Sequence, residues 1–321
     1  MIVTLTAHPS IDRTVSLSGL LERGAVLRVA STTTQAAGKG VNISRAAVTA
    51  GVETLAVLPS AEHDPFLTDL ASAGVPCRPV GPAGPIRMNL TITEPDGTTT
   101  KLNASADPAS PALLADLASA LLTAAAKADW VVLAGSLPPG APVEWYAGLV
   151  AALRRTPARI AVDTSDEPLT ALVARLAGAA PHLMKPNAEE LASFTGTDAA
   201  ALEASPILTA EAARTLVDAG VEAVLATLGG AGAVLVTAEG AWHATPPPTT
   251  VVSTVGAGDS SLFGYLLGDE RQLPPAERLA LAVAYGSAAA ALPGTTIPTP
   301  SQVRPQLVSV RTLDLTEGTA R

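Results

Sequence analysis

The chain has 321 residues, 48% of them hydrophobic and 15% charged, with a formal net charge of -9. This balance excludes a disordered chain and argues against nucleic acid or an anionic membrane surface as a general partner. A single cysteine, Cys77, excludes an internal disulfide and points to a reducing, cytoplasmic setting, and the four histidines show no metal-ligand spacing.

Residues 2–5 form an apolar run read as a strand, 42–50 a helix ended at Gly51, 53–57 a strand and 64–73 a helix ended at Gly74. Residues 88–93 and 98–103 alternate in character around Pro95-Asp96-Gly97, which predicts a β-hairpin. A long helix over 110–126 leads to Trp130-Val131-Val132-Leu133, a continuous apolar strand of the kind buried on both faces. The alternation then repeats: helix 143–153, strand 159–162, helix 168–176, strand 182–184, helices 189–194 and 209–219, strand 223–227. A second hairpin over 233–237 and 241–243 precedes two helices, around 262–267 and 276–292. The last of these includes the longest apolar run, Ala-rich and too short to span a bilayer.

Strand–helix alternation of this length predicts an α/β fold with a central, mostly parallel sheet and helices on both faces. No linker, repeat or signal peptide is read, so 1–321 is expected to be one domain; Pro246-Pro247-Pro248 is a stiff connector, and the polar tail after Leu315 is expected to fray. The first hairpin and 14–17 do not fit a parallel sheet and suggest a lid or an oligomer contact.

The most informative stretch is Gly256-Ala257-Gly258-Asp259-Ser260 before an apolar helix. Glycines and a helix start can aim N–H groups at an anion, most often a phosphate. A carboxylate there repels a phosphate, but makes sense if it takes a proton from an attacking hydroxyl. The same five residues equally suit an N-capped helix behind a glycine turn. Ligands of open parallel sheets lie beyond the carboxyl ends of the strands, where most unusual residues of this chain fall. They include His8-Pro9-Ser10-Ile11-Asp12, Gly38-Lys39-Gly40-Val41-Asn42 and Gly135-Ser136-Leu137-Pro138-Pro139-Gly140. Asp163-Thr164-Ser165, Lys185-Pro186-Asn187-Ala188-Glu189-Glu190 and Thr227-Leu228-Gly229-Gly230-Ala231-Gly232 complete the set.

The joint order of these motifs, from Thr4 to about Pro300, closely resembles the PfkB family of the ribokinase-like superfamily, and within it the hexose-phosphate kinases. The resemblance implies a ribokinase-like fold with a small β-sheet lid from about 12–34 and 86–103, through which similar kinases often dimerise. It makes Asp259 the general base and the N–H groups of Gly256, Ala257 and Gly258 an anion hole for the phosphoryl group. Asn187 and Glu190 would help place Mg2+, largely through water, and Lys185 and Asn187 would approach the phosphates of ATP. Thr227, Gly229 and Gly232 match the nucleotide loop; Ser253, Val255, Val283 and Ser287 fall where the family shapes the adenine pocket. Asp12, Gly38, Asn42 and Ser136 would bind the sugar.

Lysine is scarce in this chain, and Lys39, Arg87 and Lys101 match basic positions that bind the phosphate already on the substrate, with Arg28 a lesser candidate. The implied reaction is ATP-dependent phosphorylation of a ketohexose monophosphate, D-fructose 1-phosphate first, with tagatose 6-phosphate or fructose 6-phosphate as the alternative acceptor. A neutral-sugar kinase would not need the cations, and a non-catalytic sugar-phosphate sensor would not need Asp259. The chain also departs from the family. The N-P-A-L-D segment stands as His8-Pro9-Ser10-Ile11-Asp12, and the paired glycines before Lys39 as Ala37-Gly38. Ser253 replaces an acid, Asp166 a glycine, and Ser105-Ala106 a Pro-Gly pair.

Overall fold

The computed structural model describes residues 1–315, and the tail expected to fray lies outside them. Its strands in chain order are β1 (Ile2–Leu5), β2 (Ser10–Leu17), β3 (Val29–Ala37), β4 (Thr54–Pro59), β5 (Cys77–Val80), β6 (Arg87–Thr93) and β7 (Thr99–Asn103). There follow β8 (Trp130–Ala134), β9 (Arg159–Asp163), β10 (Leu183–Met184), β11 (Ala223–Thr227), β12 (Ala233–Thr237), β13 (Gly240–Thr245) and β14 (Ser309–Leu313). The helices are α1 (Lys39–Thr49), α2 (Pro65–Ser72), α3 (Pro111–Ala125), α4 (Trp145–Leu153), α5 (Asp166–Val173) and α6 (Leu176–Ala179), then α7 (Ala188–Thr195), α8 (Ala199–Ala204), α9 (Pro206–Asp218), α10 (Ala257–Glu270) and α11 (Pro275–Ala290).

The large sheet runs β14-β13-β12-β11-β10-β9-β8-β1-β4-β5. From β11 to β5 every pairing is parallel, and β12, β13 and β14 extend the edge antiparallel. Helices cover both faces, as the alternation predicts. Val131 and Leu133 belong to the core on the face covered by α3, α4 and α9, while Trp130 and Val132 belong to the core on the face covered by α1, α10 and α11. The run from Trp130 to Leu133 is apolar throughout because neither face of β8 meets water.

The second sheet has the order β3-β2-β6-β7. Its β6–β7 hairpin is the one predicted around Pro95-Asp96-Gly97. The sheet takes in residues 10–17 and 29–37, slightly beyond the expected 12–34, because β2 begins at Ser10 and β3 continues to Ala37. At its root the Ala36 N–H donates to Asp69 of α2 at 2.8 Å, and Arg45 of α1 pairs with the same carboxylate. The single helix expected over 168–176 is two, with Arg175 in a non-helical conformation between α5 and α6.

Candidate active site

β1, β8, β9, β10 and β11 run in register, so the residues after them share one edge. There a cleft of about 890 Å3 opens, closed on its other sides by the starts of α1 and α10 and by the 246–255 connector.

At one end of the cleft, Asp12 Oδ1 accepts from Ser10 Oγ at 2.9 Å and from Asn89 Nδ2 at 3.0 Å. Arg87 opens β6 opposite Ser10. Burial lowers the pKa of its guanidinium, the charge of Asp12 opposes that, and its buried Nε has no partner among the described residues. His8 Nδ1 lies 3.1 Å from Ser136 Oγ. Burial first, and the charge of Arg87 second, push His8 down to a pKa of about 4.

In the middle, Asp163 ends β9 with its side chain wholly buried. Lys39 Nζ lies 2.8 Å from its Oδ1 and Lys185 Nζ 3.2 Å from its Oδ2. Burial would raise the Asp163 pKa, but the two ammonium groups hold it below the usual carboxylate range. Burial works against the charge on Lys39 as well; Asp163 outweighs it and holds Lys39 above the usual lysine range.

Asp259 is buried in the first turn of α10, and Asn42 Nδ2 donates to its Oδ2 at 2.7 Å. Burial, then the negative charge of Asp163, raise Asp259 to a pKa of about 6, against the pull of Asn42, Lys39 and Lys185. The carboxylate thus titrates close to neutrality, where a general base is useful. Gly256 caps the helix in a left-handed conformation with φ of 77°, and no side chain caps the turn. First-turn N–H groups have no acceptor within the helix, which leaves those of Gly258 and Asp259 for a ligand. Of the three expected anion-hole donors, the Ala257 N–H is turned to the Thr254 carbonyl at 3.3 Å, as the tight turn into α10 brings that oxygen back.

Asn187 and Glu190 form a capping box: the Asn187 side chain accepts from the Glu190 N–H at 2.7 Å, and the Glu190 carboxylate from the Asn187 N–H at 2.9 Å. Both line the cleft. Burial raises the Glu190 pKa. No cluster of three acidic, histidine or cysteine side chains suited to a bare metal ion occurs among the described residues.

Thr227, Gly229, Gly232, Val255, Val283 and Ser287 line the opposite end. Ser253 does not; its Oγ turns back to accept from the Val255 N–H at 3.2 Å. Lys101 also stands apart from the cleft. It is exposed on β7, the outer strand of the small sheet, opposite Thr91. Arg28 is exposed beyond the start of β3. Asp12, Gly38, Lys39, Asn42, Arg87, Ser136, Lys185 and the Gly256–Asp259 turn all meet at the cleft. Two further participants, His8 and Asp163, carry no assigned role in the sequence reading. Each follows or ends an apolar strand, and that position is the signal that marks both.

A family model described as pfkB family carbohydrate kinase matches residues 6–302. The 1-phosphofructokinase of Rhodobacter capsulatus is 36% identical over 319 residues, covering 97% of this chain and 98% of its own. The 1-phosphofructokinase of Escherichia coli K12 is 35% identical over 269 residues, 83% of either chain. Among solved structures, Escherichia coli phosphofructokinase-2 in complex with substrates and products superposes with a TM-score of 0.84 at 29% identity, covering 94% of this chain and 96% of that one.

Proposed function

The chain belongs to the pfkB family of carbohydrate kinases, and on that footing we propose that it transfers the γ-phosphoryl group of ATP to D-fructose 1-phosphate, giving fructose 1,6-bisphosphate. It is a phosphotransferase with an alcohol group as acceptor. The choice of acceptor is supported by relatives named 1-phosphofructokinase that align over most of both chains. The observation that carries the mechanism is Asp259, a buried carboxylate held by Asn42 in the first turn of α10, beside N–H groups that no side chain caps.

In this reading Asp259 takes the proton of the attacking hydroxyl, and Asn42 keeps the carboxylate turned toward it. The N–H groups of α10, with Gly256 and Gly258 keeping the turn open, stabilise charge on the transferring phosphoryl group. Lys185 adds positive charge, since a Cβ on Gly258 would lie 3.4 Å from its Nζ. Arg87 meets the phosphate already on the sugar, and Lys39, paired with Asp163 in the middle of the cleft, adds positive charge. Asp12, Gly38 and Asn42 orient the sugar, and Ser136 contacts the acceptor at the same end of the cleft. Thr227, Gly229, Gly232, Val255, Val283 and Ser287 cradle the nucleotide. Asn187 and Glu190 would hold hydrated Mg2+, which when bound spreads positive charge over the phosphates of ATP.

The small sheet acts as a lid that excludes water and so limits idle ATP hydrolysis. Pairing of two copies through it is supported by exposed apolar residues on the sheet, Val29 at 51% and Leu102 at 55%, and on its β2–β3 loop, Leu20 at 62% and Val26 at 99%. No helix among the described residues is long and apolar enough to cross a membrane.

A coupled ADP-release assay with MgATP, run on fructose 1-phosphate, fructose 6-phosphate, tagatose 6-phosphate and free fructose, tests the reading. The highest kcat/KM is expected on fructose 1-phosphate. Preference for a 6-phosphate would keep the mechanism and change the substrate. Absence of turnover on every phosphorylated sugar would overturn it.

A further inference from the structure

His8 stands where the resembled motif opens with asparagine, and its surroundings define its protonation. It follows β1, and Ser136 follows the neighbouring strand β8. Nδ1 is 3.1 Å from Ser136 Oγ, while Nε2 is buried with no partner among the described residues. A buried N–H without an acceptor is rarer than a buried unfilled lone pair. An imidazolium would bury such an N–H beside the guanidinium of Arg87, whose charge already disfavours it. The single ring proton therefore belongs on Nδ1, and Nδ1–H donates to Ser136 Oγ. A hydroxyl that has accepted this bond keeps its own proton to give. Ser136 is exposed on the cleft wall, at the end that Arg87 and Asp12 also line.

We infer that His8 is a positioning residue: it turns the Ser136 hydroxyl so that Ser136 donates a hydrogen bond to a phosphate oxygen of the acceptor, next to Arg87. An oxygen that only accepts, as in a phosphate dianion, is the chemistry such a fixed donor selects. The identity of the ligand rests on the kinase reading above; the tautomer does not. Asparagine at this position could present its amide N–H much as Nδ1–H does, so the histidine keeps the function and changes the group.

The test has two arms, both on the full chain. Spectra of the 15N-histidine-labelled protein at pH 7, with His8 assigned by comparison with His8→Asn, should show a neutral ring protonated at Nδ1. A ring protonated at Nε2, or an imidazolium, overturns the inference whatever the substrate. In steady-state kinetics His8→Ala should raise KM for the sugar phosphate about tenfold, with kcat and KM for ATP within about twofold. His8→Asn should recover most of that loss. Ser136→Ala should lose as much as His8→Ala, and the double variant no more than Ser136→Ala alone. Additive losses, or a failed recovery with asparagine, overturn it. If no sugar phosphate is turned over, the kinase reading falls and the spectra alone judge the tautomer.

Discussion

Asn42 Nδ2 donates a 2.7 Å hydrogen bond to Oδ2 of Asp259 and so ties the first turn of α1 to the first turn of α10. The bond fixes the orientation of a carboxylate that has left water, and favours its charged form against the burial that opposes it. Replacing Asp259 with Asn should cut kcat by about 100- to 10,000-fold. Binding of ATP, followed by calorimetry, should persist, because the amide oxygen can still accept from Asn42.

The same residue predicts a pH profile. Protonated Asp259 cannot take a proton, so kcat/KM should fall with a limb near pH 6 as the solution is acidified. Its effect on stability runs the other way. A pKa raised on folding favours the fold below the unfolded value and ceases to do so as pH rises through about 6. Asp259→Asn should therefore be more stable than the parent at pH 8, by up to about 3 kcal/mol, with the gain vanishing near pH 4. Thermal unfolding at both pH values checks this.

Arg87→Ala should raise KM for the sugar phosphate by about 10- to 100-fold, the worth of a charge-assisted bond. KM for ATP should stay close to the parent value. Lys101→Ala should raise KM for the sugar phosphate less than Arg87→Ala does, since Lys101 stands outside the cleft. Parallel titrations of both variants with both substrates decide the order.

Asp163→Asn would leave Lys39 and Lys185 facing a neutral amide. Breaking a buried pair of this kind costs about 3–5 kcal/mol, to be read by urea unfolding. It also removes the negative charge that holds Asp259 up. The acid limb of activity should accordingly move to lower pH in the variant. A limb that stays in place would mean that Asp163 contributes little to the raised Asp259 pKa.

Gly232 has φ of +97°, and a Cβ there would come 1.9 Å from the Ala244 carbonyl oxygen. Gly232→Ala should force the strands β12 and β13 apart, lowering the midpoint of thermal unfolding sharply and weakening ATP binding. At Gly230 an added Cβ would have no neighbour within 4 Å, which makes it the matched control. Gly230→Ala should leave the midpoint nearly unchanged.

Much of this is legible in the chain because local pattern and burial coincide. Trp130-Val131-Val132-Leu133 is apolar since both its faces are covered, and 88–103 alternates around a turn that fits it. Other elements lack such agreement and leave no clear trace in the sequence. β3 (Val29–Ala37) is Thr-rich and largely exposed, and its pairing with β2 is what makes it a strand. β5 is a short edge strand carrying Pro79. α10 is buried on all sides, so no amphipathic stripe marks where it begins, five residues ahead of Leu262.

In the site, the glycine turn and the Asn187–Glu190 spacing can be read from local sequence. Asp163 cannot be matched to its partners that way, because the ion pairs with Lys39 and Lys185 join segments that only the sheet order brings together. The departure of Lys101 from the cleft likewise depends on strand order in the small sheet, which the hairpin alone does not fix.

The placement of β1 between β4 and β8 has a consequence for synthesis. Asp12, Lys39, Asn42 and Arg87 leave the ribosome early, while the carboxylate that Asn42 orients lies near the far end of the chain. A nascent chain that has completed only these early segments lacks Ser136 and Asp163 of the cleft wall as well as Asp259, the base of the proposed reading. In the proposed reading the site is complete only once α10 (Ala257–Glu270), in the last fifth of the chain, has been made and docked.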